Sequence, residues 1–155
     1  MLKSVHRWMV VCVLALGLAG GLAGPAAARA TTGTAAQSYG AKVKAILDRY
    51  EHGPTKLSGS TPASVRRRVL AWSKVAGTTS SALDRLSAPS RWRAAQQTTS
   101  QALRRLSQTL REMGNALKRK TSTADLRSVM LPRIRRLTSE VSSVAQAITG
   151  LRKAT

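Results

Sequence analysis

LSAPSRWRAA, residues Leu86 to Ala95, decides the fold. It sets a proline and a tryptophan between two long runs whose apolar residues recur every three or four positions, the spacing of one helix face. Before it come Val65, Val69, Trp72, Ala76, Thr79, Leu83 and Leu86; after it come Trp92, Ala95, Thr99, Leu103, Leu106, Leu110, Met113 and Leu117. Pro89 is tolerated in a first helical turn, with Ser87 or Ala88 just outside it as the cap, so the stretch reads as the corner between two helices. At about 100° per residue Trp92 points with Leu103, Leu106 and Leu110, while Arg91 and Arg93 fall on opposite flanks. A tryptophan that stacked on bases would project with the arginines. Trp92 is therefore expected to plug the corner, and Trp72 to lie in the same core.

Counting outward from the corner sets "TTSS" (Thr78 to Ser81) opposite "QQTTS" (Gln96 to Ser100). Small polar residues face one another there, which means either close approach or weak packing.

Two further helices complete the chain. Tyr39, Val43, Ile46, Leu47 and Tyr50 mark a short one, closed by His52-Gly53-Pro54, and residues 53–61 form a Gly/Pro/Ser-rich linker. Ser60 or Thr61 can cap the helix that follows, with Pro62 just inside it. After Thr121 to Thr123, as caps, and Asp125, the last seam runs Leu126, Met130, Ile134, Leu137, Val141, Val144, Ile148 and Leu151. Pro132 within it predicts a kink or short break near Val129 to Pro132. The fold expected is all-α: an antiparallel bundle of three long helices, coiled-coil-like in its seams, plus one short N-terminal helix. The helices are placed at about 37–52, 62–87, 89–119 and 123–151 of a single domain, 37–155.

The first thirty residues have the pattern of a secretory signal peptide. Lys3, His6 and Arg7 precede an apolar run from Trp8 to Leu22, and small residues offer cleavage after Ala28 or Ala30. The run is shorter than a spanning helix needs, and Gly20, Gly21, Gly24 and Pro25 break it. The only cysteine, Cys12, would leave with it, and residues 31–36 would form a flexible lead-in. An extracytoplasmic, cell-envelope location follows, with no membrane span in the mature chain.

Charge is the other strong signal. Lys and Arg total 26 against six Asp and Glu, a net of +20; without Lys3, Arg7 and Arg29, 23 basic residues remain against the same six acids, a net of +17. Polyanions are the partners such a balance favours. The basic residues cluster as Arg66, Arg67 and Arg68; Arg104 and Arg105; Lys118, Arg119 and Lys120; and Arg133, Arg135 and Arg136. These are the candidate polyanion-binding residues.

No catalytic or metal-binding constellation stands out. Only Asp48, Glu51 and His52 come near one another, and His52 reads more simply as a helix C-terminal residue. Phosphate-loop, G-x-S-x-G and H-E-x-x-H patterns are lacking, so no cofactor, metal or enzymatic role is expected. Sequence-specific nucleic-acid binding is disfavoured for want of a DNA-reading motif. Insertion flat in a membrane needs an exposed apolar face, which seams this narrow would use up in the bundle. The expectation is an exported, non-enzymatic protein held electrostatically on an anionic envelope polymer or an acidic protein. The alternative is a structural protein that pairs through its helices with another chain, its charge incidental.

Overall fold

In the computed structural model, residues 32–53 and 61–155 are described, and they form four helices and no strand: α1 (Thr32–Glu51), α2 (Pro62–Asp84), α3 (Ser90–Ala116) and α4 (Thr123–Ala154). The expected signal segment with Cys12, and residues 54–60 of the linker, lie outside the described residues. Helix α3 is central, packing most extensively on α2 and then on α4, while α1 rests mainly on α2. Residues Thr31–Thr155 cluster as one compact unit, which supplies all the core residues found. The chain is a helical bundle, and among the described residues no helix is long and apolar enough to cross a membrane.

Local chemistry explains where the helices start. Thr61 caps α2: its Oγ1 accepts from the Ser64 N–H at 3.2 Å, the Ser64 Oγ accepts from the Thr61 N–H at 3.3 Å, and Pro62 occupies the first turn. Ser122 and Asp125 form the same reciprocal box at α4, at 3.0 and 3.2 Å. Helix α1 begins at Thr32, so most of the stretch 31–36 expected as a lead-in is helical, as Ala35 and Ala36 favour.

The corner is tighter than its sequence suggests. Pro89, without a side-chain cap, stands just before α3 and disfavours helical geometry at Ala88, while α2 has already ended at Asp84. A buried side chain bonds the carbonyls at and beyond the end of α2: the Gln96 amide nitrogen donates to Leu83 O, which also accepts from the Leu86 N–H, and, at 3.0 Å, to Leu86 O, while its Oε1 accepts from the Tyr39 hydroxyl at 3.0 Å. Trp92, 3% exposed, stacks on Tyr39 with ring centroids 5.1 Å apart. Trp72 is buried as well.

Where the small polar residues face each other, the helices approach closely. Ser80 Oγ donates to Ser100 O at 2.9 Å, Ser73 Oγ to Ser107 O at 2.7 Å, and Arg66 Nε to Gly114 O at 3.2 Å. Each step of seven back along α2 is thus matched by a step of seven forward along α3. A Cβ on Gly114 would come within 2.5 Å of Leu70 Cδ2, so glycine makes room for that side chain.

Helix α4 has no break at Pro132, and it departs from expectation at Ile134. Arg133 Nη1 donates to Val129 O at 3.1 Å within the turn that the proline disturbs. Ile134, placed in the seam by its spacing, is 38% exposed, beside Leu131 at 61%. The steps Leu126, Met130, Ile134 are two consecutive fours, which swing Ile134 roughly 80° away from Leu126, while Val129, off the expected seam, is buried. An exposed apolar pair therefore exists where none was expected.

Candidate cationic site

Each of the six acidic side chains is engaged in an ion pair: Asp48 with Lys44 and Arg152, Glu51 with Arg152, Asp84 with Arg104, Glu112 with Arg136, Asp125 with Lys120, and Glu140 with Arg105. All have exposed or partly exposed members, so each contributes at most about 1 kcal/mol. Their larger consequence is to sort the basic residues. Arg104, Arg105 and Arg136 sit on carboxylates at 2.6, 3.9 and 3.0 Å, and half-buried Arg133 is bonded to its own helix. Arg68, Arg119 and Arg135 are exposed, and among the described residues no carboxylate lies within ion-pair distance of them.

The remaining four candidates converge. Arg66 and Arg67 from the start of α2 meet Lys118 and Lys120 from just beyond α3, around a cleft of about 340 Å³ walled also by Ala63, Leu70 and Leu117. The Arg66 Nε bond to Gly114 O fixes that side chain across the two helices, leaving its terminal nitrogens for a ligand. Lys120 is shared with Asp125 at 3.5 Å. The Asp125 carboxyl is held below its ordinary range, first by the Ser122 N–H and then by the Ser122 hydroxyl, the Thr121 N–H and Lys120. Like charges brought this close repel, and an anion seated among them would relieve that repulsion.

Leu70 and Leu117 give the cleft an apolar wall. Leu117 is a seam residue, whereas Leu70 lies off the seam and carries no sequence signal of its role.

Asp48, Glu51 and His52 do not assemble into a site. Both carboxylates turn to Arg152, and His52 Nδ1 donates to Asp48 O at 2.7 Å, closing the last turn of α1. Among the described residues no cluster of three His, Cys, Asp or Glu could hold a metal ion. Arg91 lies over the Trp92 ring, 4.2 Å from its centroid.

Comparison with protein-family models, with curated proteins and with solved structures finds no match to this chain.

Proposed function

We propose that the chain is an exported, non-enzymatic bundle of antiparallel helices that binds anionic polymers of the cell envelope through its positive charge. The observation that carries this reading is the meeting of Arg66 and Arg67 with Lys118 and Lys120, about fifty residues on in the chain, at one cleft. The engagement of every carboxylate in an ion pair supports it too, since that leaves much of the basic excess without an internal counterion. The paired residues 66 and 114, 73 and 107, and 80 and 100 support the antiparallel order. The signal-like pattern of residues 1–30 supports an envelope location.

Counterion release makes such binding fall steeply with salt. The test is co-sedimentation of residues 31–155 with isolated anionic wall polymer across a salt series. Substituting Arg66→Gln, Arg67→Gln and Lys118→Gln together is expected to flatten the salt dependence and weaken binding. Equal binding by parent and triple variant would remove the cleft from the reading, and binding indifferent to salt would overturn it.

A further inference from the structure

Leu131 and Ile134 are the large apolar side chains left exposed among the described residues, and they stand one turn apart on α4. Arg127, Leu131, Ile134, Arg135 and Thr138 fall within one sector of roughly 100° around the helix, and all are exposed. Pro132, exposed as well, lies beside them. No acidic residue shares this face, and Arg127 and Arg135 have no carboxylate within ion-pair distance among the described residues. A single exposed leucine is ordinary. Two bulky aliphatic side chains with arginines alongside have the composition of a helix surface that rests in a lipid interface.

We propose that this face of α4 docks on an anionic lipid surface. Leu131 and Ile134 enter the boundary between headgroups and acyl chains, and Arg127 and Arg135 pair with lipid phosphates. Entry is shallow, because Val129 on the opposite side, with Met130 and Leu137 along one edge of the face, keeps the helix on the bundle. A second copy of the chain is the poorer occupant: two such faces together would crowd four arginines with no acid on either side, in a protein already at +17 without residues 1–30. A soluble polymer would engage the guanidinium groups and leave both aliphatic side chains in water. Only a partner with negative charge above and apolar depth below uses the whole face.

This goes beyond the polymer reading, since it rests on different residues. The chain's one cysteine is Cys12, so in residues 31–155 a Leu131→Cys substitution gives a unique site for an environment-sensitive dye. Vesicles of phosphatidylglycerol and phosphatidylcholine are expected to blue-shift the dye, and pure phosphatidylcholine vesicles to leave it unchanged. In co-sedimentation, Leu131→Ser with Ile134→Ser is expected to weaken binding to the anionic vesicles about tenfold while soluble polyphosphate binding stays the same. Circular dichroism will show that helicity is retained. An unshifted dye overturns the proposal, as does full vesicle binding by the double serine variant. A parent dimer that the double variant abolishes, with vesicle binding untouched, would assign the face to a second copy instead.

Discussion

Ser73 and Ser107 exchange hydrogen bonds: the Oγ of each donates to the backbone carbonyl of the other, at 2.7 and 2.8 Å. A hydroxyl one carbon from the main chain reaches a facing carbonyl only if the helices lie close, closer than a leucine-filled seam permits. Gly77 belongs to the same contact, since a Cβ there would stand 3.1 Å from Ser107 Oγ. The α2–α3 interface is therefore held by short polar contacts alongside its apolar seam. Its register brings the two cationic clusters to the same end of the pair.

Ser107→Val is expected to destabilise the bundle more than Ser107→Ala. Removing the hydroxyl alone loses a hydrogen bond of about 1 kcal/mol. Adding two methyl groups also pushes α2 away, and overpacking of this kind costs about 1–3 kcal/mol. Urea unfolding of both variants and the parent gives the order directly; a valine variant as stable as the alanine one would show that close approach is not what the site requires.

Gln96→Leu is expected to loosen the corner by about 1–3 kcal/mol, because it leaves buried polar groups without partners. Those groups are the Leu86 carbonyl and the Tyr39 hydroxyl, while the Leu83 carbonyl keeps the Leu86 N–H. Tyr39→Phe removes only one bond, so its cost should be smaller. A double-mutant cycle of the two, measured by urea unfolding, is expected to give a coupling near the worth of the single Tyr39–Gln96 bond.

The helical fold was legible in the sequence because burial follows spacing: Leu103, Leu106, Leu110, Met113 and Leu117 recur by threes and fours, and all are buried. Gln96, set between the helices by counting but without its partners, and Ser107 were illegible in their bonding for a shared reason. Each is a polar side chain that water satisfies as well as a carbonyl does, and its burial is decided by a partner helix rather than by its neighbours in sequence. Ile134 was misplaced because two four-residue steps in succession drift off a seam. The basic clusters could be read, but their division was not. Which arginines face a carboxylate and which face the cleft depends on the register between helices.

Acid weakens the start of α4 through Asp125. Its carboxyl is held low mainly by the Ser122 N–H, so the folded value lies below the unfolded one of about 3.9. The resulting stabilisation is complete above the unfolded value and disappears as pH falls through the folded one. Asp125→Asn is expected to lower stability at neutral pH and to flatten its decline in acid, relative to the parent. Urea midpoints between pH 2 and pH 6 measure both, and parallel acid profiles for parent and variant would refute the assignment.

At the alkaline end the responsive group is Tyr50, whose phenol is raised above its ordinary value of 10.0 by burial. The folded chain therefore keeps its proton at a pH where the unfolded chain releases it. Stability is full below the unfolded value and is lost as pH climbs through the folded one. The useful quantity is the difference between parent and Tyr50→Phe, which share every other charged group. That difference should move in favour of the phenylalanine variant between pH 9 and pH 11, followed by thermal unfolding. A constant difference would mean that the Tyr50 phenol ionises as freely in the folded protein as in the unfolded chain.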